Sequence, residues 1–163
     1  MATVDVSNGL NGGTHPSRAI RKEPYKIEVD VNLATATTTK GSALASADVL
    51  QVIDVPAKSM IWGAGLEVVT PNDGDFQIDI GTGTDPDAFA DNFDCDGTST
   101  GDMTAIPAAY APLIVSANDT VDVVLGPTAG SAYPTSGVWR VFAVLQDVSN
   151  DLGPDEVDRD QLA

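Results

Sequence analysis

The chain has almost none of the residues on which catalytic centres and disulfide frameworks depend. Its 163 residues include one cysteine, Cys95, and one histidine, His15. A single cysteine cannot form an intrachain disulfide, so a disulfide-based secreted scaffold is excluded. A single histidine in a flexible, glycine-rich segment cannot be oriented for a Ser-His-Asp or Cys-His mechanism. Acidic neighbours raise the pKa of Cys95 instead of activating its thiol. We therefore predict that the protein is not an enzyme.

Long hydrophobic runs and helical periodicity are also missing. No apolar run approaches the roughly 20 residues of a membrane-spanning helix. The first ten residues have neither the basic nor the apolar region of a secretory signal. The segment Lys40–Ser42 lacks the upstream glycine spacing of a phosphate-binding loop. We expect no membrane partner and no cofactor, and we expect the protein to be made and kept in a cytosol or released by lysis, not exported.

Basic residues are scarce after residue 58, and acidic ones are of one kind. The chain has twenty Asp and four Glu, and its net charge is -16. From Ser59 onward, eighteen acidic residues face only Arg140 and Arg159. Such a body repels phosphate, so we expect no direct contact with nucleic acid. Asp favours turns over helix interiors, which agrees with a chain made of strands and loops.

Strands are what the sequence does contain. The run Tyr25–Asn32 alternates apolar and polar side chains, and Asp75–Ile80 and Thr120–Leu125 repeat the pattern. A period of two predicts strands with one packed and one wet face. About eight such runs, separated by turns rich in Gly, Pro and Asp, predict an all-β protein. The expected fold is a jelly-roll-like or Greek-key β-sandwich.

Residues 1–24 are predicted to be an extended N-terminal arm, residues 25–148 the sandwich domain, and residues 149–163 an acidic tail. Within the domain, residues 25–33 form the first strand and residues 34–47 a small polar linker that stays extended. No helix is expected. Leu66–Thr70 and Asp75–Ile80 are predicted to form a hairpin around Pro71–Gly74, whose residues suit a tight turn.

Three further assignments concern the rest of the domain. Gly81–Ala108 is predicted to be the longest irregular stretch. Val138–Val148 is apolar on both faces and is predicted to be the longest strand, in a central position. Gly63–Gly65 predicts a bulge or bend. Trp62 and Trp139 both sit in strand patterns, which favours packing in the core.

The aspartates of the long loop raise the question of a metal. Asn92–Gly97 matches the first half of an EF-hand loop, but the twelfth position is Met103, where a bidentate Glu is required. The EF-hand interpretation therefore fails. A looser calcium site from Asp94, Asp96 and Asp102 is the alternative to a solvated acidic loop, which we favour.

A small basic cluster precedes and enters the first strand. It is either a solvated flank or a cationic arm that reaches an acidic neighbour, and apolar side chains in the arm would add contact area. We take it as the candidate assembly interface, formed by Arg18, Ile20, Arg21, Lys22, Tyr25 and Lys26.

Four segments resemble small virion structural proteins of tailed bacteriophages, and capsid decoration (cement) proteins most of all. They are Ala47–Ala57 (ADVLQVIDVPA), Gly63–Val68 (GAGLEV), Ile78–Phe89 (IDIGTGTDPDAF) and Gly137–Val148 (GVWRVFAVLQDV). The resemblance covers about residues 45–148. It implies a jelly-roll-like domain, often a homotrimer, that clamps the major capsid protein from outside the shell.

Three functional hypotheses are consistent with these observations. The first is a decoration protein on the outer surface of the virion capsid, bound to the major capsid protein and to its own copies. The second is a head-fibre or tail module that recognises host glycans through the loops Gly81–Ala108 and Gly126–Gly137. The third is a small hydrolase, such as a carboxylate-pair glycosidase, with Asp85, Asp94 and Asp102 as its acidic residues.

Overall fold

The computed structural model describes residues 3–5, 23–104, 111–126 and 133–148. Nine strands and one helix lie within these ranges. In chain order they are β1 (Thr3–Asp5), β2 (Tyr25–Asn32), α1 (Leu33–Lys40), β3 (Val49–Val55), β4 (Ser59–Thr70), β5 (Gln77–Thr82), β6 (Ala90–Asp94), β7 (Leu113–Val115), β8 (Asp119–Leu125) and β9 (Val138–Asp147). A search of the described residues finds no helix with the length and apolarity to cross a membrane.

The strands form two sheets packed face to face. The four-stranded sheet has the order β2-β9-β4-β7, and the five-stranded sheet has the order β1-β3-β8-β5-β6. All pairs are antiparallel except β1 with β3, which is parallel. From β2 onward successive strands change sheet, apart from the pair β5 and β6. This is the double-sheet jelly roll, with β1 added at one edge. The predicted fold class is confirmed.

The core lies between the sheets and follows from the period of two. On β9, Trp139, Val141, Ala143 and Leu145 are fully buried while the residues between them are half-buried. Trp139 packs against Phe76, with ring centroids 5.9 Å apart. Burying one large side chain stabilises the fold by roughly 1.5–3 kcal/mol. The prediction that Trp139 is a core residue is confirmed.

β9 pairs with β2 on one side and with β4 on the other, so its predicted central position is also confirmed. It is not the longest strand, because β4 has 12 residues and β9 has 10. The register of β4 against β9 shifts between Ile61 and Gly63. The bulge expected at Gly63–Gly65 is therefore present.

The absence of helix was predicted wrongly. Residues 34–40, assigned to an extended linker, form α1 together with Leu33. Asn32 caps its start, since the Asn32 side chain accepts a hydrogen bond from Thr35 N at 3.1 Å. Gly41 ends it in the left-handed conformation with φ of 77°. Apolar periodicity did not reveal this helix because only Leu33 and Ala36 are buried.

α1 is held to the start of β3 by a buried ion pair. The ammonium group of Lys40 contacts the carboxylate of Asp48, whose side chain is 2% exposed. The same carboxylate accepts a hydrogen bond from Ala45 N at 2.8 Å. A buried carboxylate needs such partners, because an unpaired buried charge is strongly destabilising. The pair therefore fixes the path of the chain between α1 and β3.

The predicted hairpin does not exist. Leu66–Thr70 ends β4 in the four-stranded sheet, whereas Gln77–Thr82 forms β5 in the other sheet. The segment between them crosses from one sheet to the other. Asp73 anchors this crossing, because its carboxylate accepts hydrogen bonds from Thr135 N and Ser136 N at 2.8 and 2.9 Å. The Asp73 carboxylate also accepts a hydrogen bond from the Thr135 hydroxyl. This hydrogen bond is the largest of the effects that lower the pKa of Asp73 to about 2.

Two other assignments need correction. The stretch Gly81–Ala108 is not wholly irregular, because Ala90–Asp94 forms β6 and pairs with β5. The predicted first strand ends one residue earlier than expected, since Leu33 begins α1. Thr3–Asp5, in the predicted arm, is a strand on the edge of the five-stranded sheet. Residues 6–22 and the predicted tail, residues 149–163, lie outside the described residues.

Candidate assembly surfaces

The predicted assembly interface is only partly described. Arg18, Ile20, Arg21 and Lys22 lie outside the described residues. Tyr25 and Lys26 are neighbours at the start of β2, but they point to opposite faces of the sheet. The Tyr25 side chain belongs to the core, and burial, followed by the charge of Asp147, raises its pKa. Lys26 is exposed on the outer face.

Lys26 lies at the margin of an aromatic surface. Its ammonium group forms an ion pair with Glu28 and stands 5.1 Å from the centroid of the Phe142 ring. That distance allows a cation–π interaction. Of the predicted interface residues in the part of the chain that the structure describes, Lys26 is therefore the one available to a partner.

The predicted calcium ligands are engaged in local turns. Asp94 accepts a hydrogen bond from Asp96 N at 3.0 Å, and Asp102 accepts one from Ser99 N at 2.7 Å. Within the described ranges, no group of three or more His, Cys, Asp or Glu side chains is placed to hold a metal ion. The structure does not bring Asp94, Asp96 and Asp102 together as such a group.

Cys95 is a buried thiol next to β6. Its side chain is 1% exposed. Burial, with a smaller contribution from the charge of Asp94, raises its pKa to about 12. A thiol with this pKa is almost entirely protonated at neutral pH, and a protonated thiol is a poor nucleophile.

The outer face of the five-stranded sheet is strongly acidic. Strands β3, β5, β6 and β8 contain six Asp and no Lys or Arg. These residues are Asp54, Asp79, Asp91, Asp94, Asp119 and Asp122, of which Asp119, the register partner of the buried Val55, lies at the end of the sheet and not on its outer face. Because no basic residue interrupts them, this face repels anions and other acidic surfaces. We call it the acidic face.

Asp122 is the buried member of the acidic face, with 3% exposure. It lies opposite Gly81 on β5. A Cβ at Gly81 would stand 2.0 Å from the Asp85 carbonyl oxygen, so the loop after β5 closes directly over the sheet here. Burial raises the pKa of Asp122 to about 6, against a hydrogen bond from the Thr120 hydroxyl at 2.5 Å that lowers it.

The outer face of the four-stranded sheet has a different chemistry. Its strands contain two basic residues, Lys26 and Arg140, and four acidic ones, a balance of -2 compared with -6 on β3, β5, β6 and β8. Large apolar side chains occupy most of its remaining outward positions. They are Met60, Trp62, Met103, Ile114, Phe142 and Val144. We call these six residues the apolar face.

The sequence placed Trp62 in the core, and this is wrong. Trp62 is 44% exposed, and its indole N–H donates a hydrogen bond to Gln146 Oε1 at 2.7 Å across the outer face. The bulge before Gly63 lets the strand turn this side chain outward. Ile114, the register partner of Met60, is 59% exposed beside it.

Glycines shape the apolar face. A Cβ at Gly65 would stand 2.8 Å from Cζ of Phe142, so the Phe142 ring lies close above that glycine. A Cβ at Gly63 would meet nothing within 4 Å, so the surface there is open. Gly63 is the register partner of Val144. The outer face is therefore open at Gly63 and covered by the Phe142 ring at Gly65.

One cluster of charged side chains borders the apolar face. Asp30, Arg140 and Glu67 are register partners across β2, β9 and β4. Arg140 Nε donates to Asp30 Oδ1 at 2.8 Å, and the hydrogen bond between them is the first cause of a raised Arg140 pKa. Arg140 Nη1 lies 3.8 Å from Glu67 Oε2. Arg140 offsets one of the two carboxylates, so the cluster leaves a net charge of -1 on the face.

A cleft of about 370 Å³ opens at one end of the sandwich. The turn after β5 forms one wall and the segment from β7 to the start of β8 the other. Its lining includes Thr84, Leu113, Ile114, Asn118 and Asp119. Ile114 thus belongs to both the cleft and the apolar face.

Sequence reasoning missed the apolar face, although one signal for it was present. Val138–Val148 was recognised as apolar on both sides and interpreted only as a central strand. In a sandwich the outer side of a central strand still faces solvent, so Phe142 and Val144 indicated an outward apolar surface.

No family model matches this chain, and no curated protein matches it. Solved structures do. In the capsid of Ralstonia phage GP4, one chain is 15% identical, with a TM-score of 0.56, and the match covers 90% of this chain and 99% of that chain. In the capsid asymmetric unit of cyanophage Pam1, one chain is 15% identical, with a TM-score of 0.50, and the match covers 76% of this chain and 83% of that chain.

The fold of this chain occurs in phage capsids. A third match comes from the acid-stable capsid of Helicobacter pylori bacteriophage KHP30, at 13% identity and a TM-score of 0.47, covering 75% of this chain and 85% of that chain. The GP4 and Pam1 chains have the higher TM-scores, and at 15% identity their likeness to this chain is one of fold. It agrees with the resemblance to phage virion proteins found in the sequence.

Proposed function

We propose that this chain is a structural protein of a bacteriophage virion and that it decorates the capsid. Its partner is the major capsid protein, which it binds from outside the shell. One observation supports this most strongly. The match to the Ralstonia phage GP4 capsid chain covers 90% of this chain and 99% of that chain, so a sandwich of similar length is one chain of that capsid.

The charge distribution supports an outer location. The strands that form the acidic face contain six Asp, and the whole chain has a net charge of -16. Packaged DNA carries one negative charge about every 1.7 Å of helix axis. A protein of this charge is repelled from the DNA side of a shell and is favoured on the outside.

The role is structural and not catalytic in this proposal. The buried Cys95 thiol, with a pKa of about 12, is a poor nucleophile. The aspartates named for a hydrolase are separately engaged. Asp94 and Asp102 accept hydrogen bonds from nearby backbone groups, and the Asp85 pKa is raised first by a hydrogen bond with Asp87.

We further propose that the protein binds the shell as a homotrimer around local three-fold positions, after assembly in the host cytoplasm. Closed cyclic symmetry satisfies identical contacts on every copy. Each additional bound copy stabilises the shell by mass action, because the protein binds the assembled state.

Cryo-electron microscopy of the virion that carries this chain tests the proposal. We expect density for the sandwich outside the shell, in groups of three, with a copy number that is a fixed multiple of the shell protein's. Heads prepared without the protein should disassemble at a lower temperature and regain stability when it is added. A chain found in the tail only, or missing from the virion, would exclude the decoration role.

A glycan-recognition module is the second candidate, and the cleft favours it. The cleft combines apolar side chains such as Leu113 with the polar groups of Thr84 and Asn118. Mixed linings of this kind suit a sugar ring. Binding of the isolated protein to host cells, lost in Asn118→Ala and competed by a host polysaccharide, would support this function over decoration.

A further inference from the structure

The four exposed large apolar side chains of the described residues all belong to one side of the molecule. Trp62 and Ile114 are on strands of the four-stranded sheet, Met103 bridges to Glu67 at its edge, and Val148 follows β9 directly. None lies on the five-stranded sheet. An apolar surface of this kind in a soluble chain marks a contact site, and Trp, Met and Phe are the residues enriched in such contacts.

The distribution of charge also favours the four-stranded sheet as the side that contacts a partner. The acidic face repels any acidic partner, whereas the charges beside the apolar face are largely paired with each other. Lys26 stands at the margin of the apolar face, above Phe142. Further basic residues, Arg18, Arg21 and Lys22, precede it by four to eight positions in the chain. The strands of the four-stranded sheet carry a balance of -2, compared with -6 on β3, β5, β6 and β8, so an acidic partner meets less repulsion on this side, where Lys26 is exposed to its carboxylates.

Size argues against a second copy as the occupant. Four strands about 4.8 Å apart, with about six residues of roughly 3.3 Å each, span roughly 400 Å². A stable interface between two free proteins buries about 800 Å² on each partner. The surface is better suited to a partner that holds many copies at fixed positions, where linked contacts add their affinities.

We propose that the apolar face, formed by Met60, Trp62, Met103, Ile114, Phe142 and Val144, is the surface that docks onto the capsid shell, against an apolar patch bordered by carboxylates. The acidic face then points to solvent. This inference rests on the proposed virion role and specifies which side of the sandwich performs it. Trp62 is the central contact, because Trp is among the residues that most often dominate interface energetics and this ring is 44% exposed next to the open position of Gly63.

The test measures loading onto shells that lack the protein. Purified full-length chain is mixed with such heads, and bound copies are counted after sedimentation. Trp62→Glu should reduce affinity about tenfold or more, because it removes a buried anchor and places a charge against carboxylates. Trp62→Phe keeps an apolar ring without the hydrogen bond to Gln146 and should retain most of the affinity. Ile114→Ser should weaken loading without changing charge.

Gln77→Glu is the matched control. Gln77 is on β5, and its substitution adds the same negative charge to the acidic face, so loading should stay within about twofold of wild type. Thermal unfolding of every variant shows that the domain is intact. Since Trp62 and Ile114 are largely exposed, neither substitution should unfold it.

The outcomes distinguish a failure of the decoration role from a failure of the proposed docking surface. If wild type does not load, the decoration role itself is wrong. If wild type and Trp62→Glu load equally while Gln77→Glu is impaired, the orientation is reversed and this inference alone fails. If Trp62→Glu converts a free oligomer to monomers, the apolar face is a contact between copies. If it abolishes host-cell binding but not loading, the partner is a glycan.

Discussion

Burial of a single carboxyl group, that of Asp122, links the stability of the domain to pH. Its pKa in the folded protein is raised to about 6, whereas an Asp in an unfolded chain has a pKa near 3.9. Between about pH 4 and pH 6 the folded state therefore binds more protons than the unfolded state. Stability falls as the pH rises through this window, and the cost is fully present above it.

Asp122→Asn should therefore stabilise the domain at pH 8 by about 2 kcal/mol, since it removes a buried charge while an amide oxygen can still accept from Thr120. At pH 4 the difference should nearly vanish. Urea unfolding at both pH values measures it. Asp96→Asn removes a charge from an exposed position and is the control. Equal effects of the two variants at pH 8 would contradict a role for burial.

The short helix α1 depends on the residues that cap its two ends more than on a periodic apolar face. Its eight residues bury only Leu33 and Ala36, so capping by Asn32 and Gly41 and the ion pair of Lys40 with Asp48 determine where it forms. A helix of this length is marginal without such contacts. The strands of the core need less local help, because their alternation is reinforced by both sheets.

Gly41→Ala should destabilise the domain by about 1 kcal/mol, because Gly41 has a φ of 77° and a Cβ is disfavoured there. Gly63→Ala is the matched control. A Cβ at Gly63 meets no atom within 4 Å, and its φ is not positive, so the change should be close to neutral. Chemical unfolding compares the two. Equal destabilisation would mean that the helix end is not what Gly41 supports.

At the scale of the whole molecule, we expect the sandwich and the predicted arm to have separable tasks. The described buried core is supplied by β2–β9, α1 and connecting residues such as Phe76 and Phe89, whereas β1 is a three-residue strand at a sheet edge. Of the basic residues proposed for assembly, Arg18, Arg21 and Lys22 lie between β1 and β2 in the chain, and Lys26 lies on β2. Stability should therefore depend on the sandwich, and capsid loading on the arm together with the apolar face.

Deleting residues 2–24 should abolish loading onto capsids while the remaining chain still unfolds cooperatively on heating. Deleting residues 149–163, which removes five acidic residues and Arg159, is the control and should leave loading intact. Sedimentation with shells and circular dichroism measure the two properties. Undiminished loading of the first variant would show that the arm is not part of the interface.

Local alternation was enough to predict the all-β class, most strands and the burial of Trp139, because the period of two directly states which side chains share a face. The central position of β9 was readable for the same reason, since its apolar character extends to both sides. The hairpin at Pro71–Gly74 failed because a turn signal reports a reversal but not which sheet receives the next strand.

Tertiary structure decided which strands share a sheet and which of them pair, and therefore the jelly-roll strand order. It also decided the outward position of Trp62, the burial of Asp122 beneath the loop after β5, and the helix at residues 33–40. Trp62 depends on a group distant in sequence, Gln146, whereas α1 combines its adjoining caps with the ion pair of Lys40 and Asp48, eight positions apart. The sequence by itself determined that this is an acidic sandwich with few groups for catalysis. Only the tertiary structure shows that one outer face is acidic and the other apolar. The sequence of a strand indicates which side chains share a face, but the packing of the two sheets decides which face points to solvent.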